Sequence, residues 1–144
     1  MDHKKHLEAE IQRQNSWYVS SQFKWAQEEH VKRIMHKRYV FFKKIIDAAI
    51  ARKGKVTLLD YGCGDGYWSS MLSQIKGCSV TGADYNPLRL KRAEAMAPKA
   101  VFYEADLTEG KNNFGTFDII FCSQVIEHVQ DDEGFLKDLQ KYIY

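Results

Sequence analysis

From Glu28 to Arg52, apolar residues recur at three- and four-residue steps: Val31, Ile34, Met35, Phe41, Phe42, Ile45, Ala48 and Ala49. This spacing predicts a long amphipathic helix, and Gly54 in "RKGK" is placed to cap its end. The pattern then changes. "VTLLDYG" (56–62) reads as a buried strand and "YWSSMLSQI" (67–75) as a helix. "SVTGADY" (79–85) is a second strand, and "NPLRLKRAEAMA" (86–97) a helix with Asn86 as N-cap and Pro87 at its first position. "AVFYEADL" (100–107) and "FDIIFCSQ" (117–124) are third and fourth strands, the fourth apolar enough to be covered on both faces. "DDEGFLKDLQKYIY" (131–144) is a last helix, opened by acids that suit its positive end. Strands alternating with helices at this spacing predict an α/β fold, a doubly wound and mostly parallel sheet.

With 144 residues, 44% of them hydrophobic, the chain can form one domain with its own core. Residues 1–54 are expected to form an N-terminal helical cap segment and residues 55–144 the core. No run of about 18 apolar residues occurs, so no transmembrane helix is expected. "MDHKKHLEAE" lacks the apolar stretch of a signal peptide. Cys63, Cys78 and Cys122 are odd in number and lack CxxC spacing, which fits reduced thiols rather than a disulfide framework or zinc site. A cytoplasmic location is the resulting expectation. Net charge is +2 but unevenly spread: residues 24–55 hold ten Lys or Arg against three acids, residues 56–144 eight against thirteen. The basic stretch reads first as a solvated helix face. Nucleic acid is a possible but disfavoured partner for it. Trp17, Tyr18, Phe23 and Trp25 fall within nine residues and suggest a segment that docks on the body of the protein.

The chemistry begins in "LLDYGCGDG" (58–66). A strand that ends in Asp60 and runs into Gly62, Gly64 and Gly66 before a helix puts a tight turn at the carboxyl edge of the sheet, where open α/β folds bind ligands. The dinucleotide fingerprint G-x-G-x-x-G does not fit, because the third glycine comes one residue early and position 67 is tyrosine. The second strand ends in Asp84, where an acid can take both hydroxyls of a ribose. The third ends in "EADL", with Asp106 and Leu107 at the same edge. Cys63 and Cys122, at strand ends, read as small apolar fillers rather than nucleophiles.

These features, in this order, resemble the class I S-adenosylmethionine (AdoMet) dependent methyltransferases. D-x-G-x-G-x-G over 60–66 is similar to their motif I, which wraps the methionine part of the cofactor. "EADL" is similar to their adenine-binding position, with Asp106 accepting from the exocyclic amine and the Leu107 amide reaching the ring. "FDIIFCSQVIEHV" resembles motif IV and the segment after it, with Asp118, Ser123 and Gln124 matching in position. The resemblance covers roughly the last 90 residues, and is nearest to small members that carry a "VIEHV"-like stretch. It implies a Rossmann-like sheet, in partial order 3-2-1-4 here. It also implies AdoMet as cofactor, S-adenosylhomocysteine as product, and a cofactor site of Asp60, Gly62, Cys63, Gly64, Gly66, Asp84, Tyr85, Asp106, Leu107, Ser123 and Gln124. Helices before the first strand often cap the cofactor in this family, so Trp17, Tyr18, Phe23 and Trp25 are candidates for a lid.

AdoMet carries its own leaving group, so the absence of an evident nucleophile is no objection; no catalytic residue is assigned. "Q-V-I-E-H" (124–128) resembles the E-x-x-E-H stretch of metal-dependent relatives, but Gln124 stands where the first glutamate would. Glu127 and His128 are therefore expected to be structural, and no metal is expected. The family's sheet has seven strands and four are evident here. The expectation is a fragment of a longer enzyme whose fourth strand forms an edge; the alternatives are a short form whose edge the N-terminal helices cover and a homodimer through that edge. The methyl acceptor is not named by any of these residues, and a cofactor-binding unit without turnover remains the alternative function.

Overall fold

The computed structural model describes residues 3–17, 27–106, 114–123, 125 and 129–144, the side chains of 3 and 14–17 excepted. It divides into two compact units, residues 1–38 and 39–144. The first holds α1 (His3–Trp17) and the start of α2 (Glu29–Lys53). Val31 and Met35, one turn apart, are its buried apolar pair on α2. The aromatic residues Tyr18, Phe23 and Trp25 and the side chain of Trp17, candidates for a lid, lie outside the described residues.

The second unit begins inside α2. That helix buries Ile46 and Ala49 and stops at Gly54, whose N–H bonds the Ile50 carbonyl at 2.7 Å with φ 85°. β1 (Val56–Tyr61), α3 (Tyr67–Leu72), β2 (Cys78–Asp84), α4 (Pro87–Met96), β3 (Val101–Glu104), β4 (Ile119–Phe121) and α5 (Asp132–Gln140) follow. The strands form one parallel sheet in the order β3-β2-β1-β4, as the alternation predicts. β1, central and apolar, is buried at every position but Thr57. α4 starts as its sequence requires: Asn86 Oδ1 accepts from the N–H groups of Leu88 (3.1 Å) and Arg89 (3.3 Å), with Pro87 next to it.

Alternate residues of β1 serve opposite faces. On one face Leu59 and Tyr61 pack with Ala83, Phe117, Phe135 and Tyr142, the Tyr61 and Phe135 rings 5.5 Å apart. On the other, Asp60 bonds to α3, while Phe42 of α2 and Trp68 of α3 meet Phe121 at centroid distances of 4.8 and 5.6 Å. Burying a ring of this size contributes about 2–3 kcal/mol.

Four predicted elements come out shorter, among them the last helix, which ends at Gln140 rather than running to Tyr144. α3 ends at Leu72 rather than Ile75, because tight turns at Ser73 and Ile75 and a Gly77 with φ 91° bring the chain back to Cys78, opposite Val56. β3 pairs over four residues, is the sheet edge, and leaves Val101 and Tyr103 exposed. β4 pairs over three, all half-buried rather than covered on both faces. Its expected bare edge is also corrected at its start. The turn after α5 lays residues 142–144 beside Phe117 in a parallel bridge, with Phe117 N–H to Tyr142 O at 2.7 Å and Tyr144 N–H to Phe117 O at 2.9 Å.

Candidate functional site

β2 and β3 lie on one side of β1 and β4 on the other, so the switch in winding direction falls between β1 and β4. Ligands of open α/β sheets bind in the crevice outside the carboxyl ends at such a point. The segment after β1 occupies that place. Gly62, Gly64 and Gly66 all have left-handed backbone, at φ 76°, 53° and 84°. The two amides at 62 and 63 bond the Ala83 carbonyl at 2.8 and 3.0 Å, which stitches the loop to the end of β2. A β-carbon on Gly66 would lie 2.9 Å from the Ala93 backbone, so the loop can seat on α4 only as glycine. One on Gly62 would overlap the side chain of Val125, which places Val125, beyond β4, against the loop.

Asp84 closes the arrangement. Its two oxygens accept from the amides of Gly64 and Asn86, each at 2.9 Å, and the residue is buried. Each oxygen keeps a second acceptor site. Burial raises the Asp84 carboxyl above the usual range, while these amides and Arg89 oppose that shift. Asp60, also buried, accepts from Ser69 Oγ at 2.6 Å. Desolvation pushes its carboxyl up to about 7, with the Ser69 bond lowering it and the charge of Asp84 raising it. Cys63 is buried and its thiol is held well above its ordinary range by desolvation, which suits a filler and not a nucleophile. Cys122 is exposed, so the filler reading is corrected there: β4 ends at Phe121, and the chain has already left the sheet.

Of the other expected site residues, Tyr85 follows Asp84 and is half-buried. Asp106, also half-buried, lies just past the point where the Ala105 amide bonds Asp84 O at 2.9 Å. Ser123, two residues beyond β4, is half-buried. Leu107, Gln124, Glu127 and His128 lie outside the described residues. Asp118 sits at the opposite, amino-terminal edge. There it accepts from Thr57 N–H (2.8 Å) and Thr57 Oγ1 (3.2 Å) and pairs with Lys53. That is a strand-pairing role, away from the site.

One group of residues went unnoticed in the sequence. Asp65, inside the glycine loop, is fully buried. Its Oδ1 accepts from Arg89 Nε at 3.2 Å and Arg92 Nε at 3.0 Å. Arg92 Nη2 lies 2.8 Å from the same oxygen but out of line for a hydrogen bond, and Asp65 Oδ2 has no partner among the described residues. The Arg89 guanidinium fills the place a β-carbon on Gly64 would take. The available signal was an acid in the loop and two arginines three apart on α4, the second helix after it.

The sequence pattern of the methyltransferase domain family matches residues 9–143, nearly the whole chain. This chain belongs to the class I AdoMet-dependent methyltransferase family. A ubiquinone biosynthesis O-methyltransferase of Methylobacterium sp. strain 4-46 is 32% identical over 128 residues, covering 78% of this chain and 51% of that protein. A 2-methyl-6-phytyl-1,4-hydroquinone methyltransferase of Synechocystis is 32% identical over 90 residues, 60% of this chain and 28% of that one. The chain thus spans about half the length of the first of these relatives and less of the second. Among solved structures, magnesium protoporphyrin IX methyltransferase from Synechocystis PCC 6803, with bound S-adenosylhomocysteine, superposes with TM-score 0.62. It is 20% identical, with 81% of this chain and 56% of that chain covered, and shows the shared methyltransferase fold. Among the described residues no helix is long and apolar enough to cross a membrane.

Asp84, whose two oxygens each accept one amide and keep an acceptor site, has the chemistry to take the hydroxyls of a ribose.

Proposed function

We propose that this chain binds AdoMet across the carboxyl ends of β1, β2 and β4 and transfers its methyl group to an acceptor. One observation carries the reading: Gly62–Gly66, the Asp84 carboxylate and Val125, beyond β4, converge at the switch point of the sheet. When bound, AdoMet supplies a methyl group on a sulfonium leaving group. Asp84 takes the ribose hydroxyls on its remaining acceptor sites, the glycine loop follows the methionine portion through its backbone, and Asp106 with Leu107 receives the adenine. Cys63, with its side chain buried, contributes backbone alone. Ser123, two residues beyond β4, borders the place where the acceptor meets the methyl. The residues' task is alignment and exclusion of water. The relatives named for ubiquinone and hydroquinone substrates favour a ring hydroxyl or ring carbon as acceptor. Half-buried Tyr67, directly after Gly66, gives the loop an aromatic neighbour suited to such a ring.

Calorimetry with S-adenosylhomocysteine and with NAD tests the cofactor. Binding of the first and not the second is expected, and tighter NAD binding, or none by either, would sink the reading. Pairing of two copies through the β4 edge is a separate proposal, which sedimentation would reject by finding only monomer.

A further inference from the structure

We propose that Asp65 is a positioning residue for the ribose end of this site: its buried tie to Arg89 and Arg92 lays the glycine loop on α4 and aims the Gly64 amide at Asp84. The inference rests on the assignment of Asp84 to the ribose.

Three consecutive loop residues meet one face of α4. The Arg89 guanidinium lies where a β-carbon on Gly64 would stand, Asp65 Oδ1 accepts from Arg89 Nε at 3.2 Å and Arg92 Nε at 3.0 Å, and Gly66 sits against Ala93. Positions 89, 92 and 93 are three and four residues apart, so they line one side of the helix. Glycine loses more conformational freedom on being ordered than any other residue, and glycines stand on both sides of Asp65. Asp65 supplies the charged side chain between them, fully buried, and its bonds hold both neighbours in register with the helix.

Asp84 is fixed to the same helix from the other side. One of its oxygens accepts the Asn86 amide, and Asn86 caps α4. The other accepts the Gly64 amide at 2.9 Å. Gly64 is therefore held between two acids that are both anchored on α4, Asp65 next to it in the chain and Asp84 across from it. Asp65 has no exposed surface, so it acts on a ligand through the loop rather than by contact. Without its bonds, the guanidinium beside Gly64 loses a carboxylate that places it, and the Gly64 amide no longer meets Asp84 in a fixed position. The ligand must then order the loop itself, which lowers affinity.

Amide hydrogen exchange of the 144-residue chain, with calorimetric titration by S-adenosylhomocysteine, tests this. Asp65→Asn is expected to speed exchange at Gly64 about tenfold, while the Val56 amide, bonded to the Gly77 carbonyl at the far end of β1, keeps its wild-type rate. The same variant should weaken S-adenosylhomocysteine binding about tenfold. In an Asp84→Ala background, where Gly64 has lost its partner, adding Asp65→Asn should change affinity less than about twofold. Unchanged affinity in Asp65→Asn, or exchange that speeds equally at Gly64 and Val56, would reduce Asp65 to packing and overturn the inference. So would a second loss of about tenfold in the Asp84→Ala background. If Asp65→Asn does not fold, Arg92→Gln takes its place: loss of the 3.0 Å bond should give the same pattern with smaller changes, and wild-type exchange at Gly64 with wild-type affinity overturns the inference. Wild-type protein that does not bind S-adenosylhomocysteine removes the cofactor assignment and the inference with it, whereas wild-type binding that Asp65→Asn leaves intact removes only the role of Asp65.

Discussion

The two edges of the sheet each place aspartates at strand ends, and they treat them in opposite ways. At the amino edge, Asp118 sits where Lys53 and both donors of Thr57 reach it, and its carboxyl is held below the ordinary range, first by the Lys53 bond. The Lys53 ammonium also lies 5.2 Å from the ring centre of Tyr144. At the carboxyl edge, Asp60 and Asp84 are buried among backbone amides and a hydroxyl, and both are pushed up by desolvation. The first arrangement ties strands together with a fully ionised group. The second holds carboxylates in a state that an incoming cation or hydroxyl can change. The side-chain type is the same at a strand's start and at a strand's end, and what differs is whether charge or burial dominates the surroundings.

Five substitutions would break or sharpen that contrast. The largest effect should be a pH dependence at Asp60. Its folded carboxyl binds its proton more tightly than the unfolded chain does. The stabilisation is therefore complete below about pH 4 and is lost as pH rises through about 7, a swing of up to about 4 kcal/mol. Asp60→Asn cannot ionise, so melting curves should show the wild type losing ground against it across that interval. Parallel curves would mean that Asp60 ionises normally. Next, Asp84→Ala should weaken S-adenosylhomocysteine binding about 100-fold, two charge-assisted hydrogen bonds lost; unchanged affinity would move the ribose elsewhere. Third come two glycines with nearly equal φ, 84° at Gly66 and 85° at Gly54. Alanine at Gly54 meets open space and should cost about 1 kcal/mol of backbone strain. At Gly66 it also meets Ala93 and should cost about 3 kcal/mol in denaturant unfolding. Equal costs would show that the loop does not seat on α4. Smallest is Asp118→Asn, expected to lower Tm slightly, less so in high salt, and to leave cofactor affinity alone. A loss of cofactor affinity there would erase the distinction between the two edges.

Much of this was legible residue by residue. The Asn86–Pro87 start of α4 and the Gly54 stop of α2 follow from capping rules that act within one turn. The Asp60–Gly66 loop, the acids at 84 and 106 and the "FDIIFCSQVIEHV" stretch together carried the resemblance to the methyltransferase family. Asp65 escaped because an acid between two glycines reads as an exposed turn residue, the commonest place for it. Its burial depends on α4 folding back over the loop, 24 and 27 residues further along the chain. Asp118 matched the motif near the start of the fourth strand, and that start lies at the other end of the sheet from the loop.

By itself, then, the sequence determined the elements, their order, the parallel sheet and the glycine loop. Periodicity, caps and left-handed turns are decided by neighbours a few residues apart, and those neighbours are written side by side. Only the tertiary structure decided that Arg89 and Arg92 share the carboxylate of Asp65, that Val125 closes on Gly62, and that Ile143 runs beside Phe117. Each of those contacts joins residues brought together by the crossover and register of strands, so its strength depends on burial and geometry that no local stretch contains.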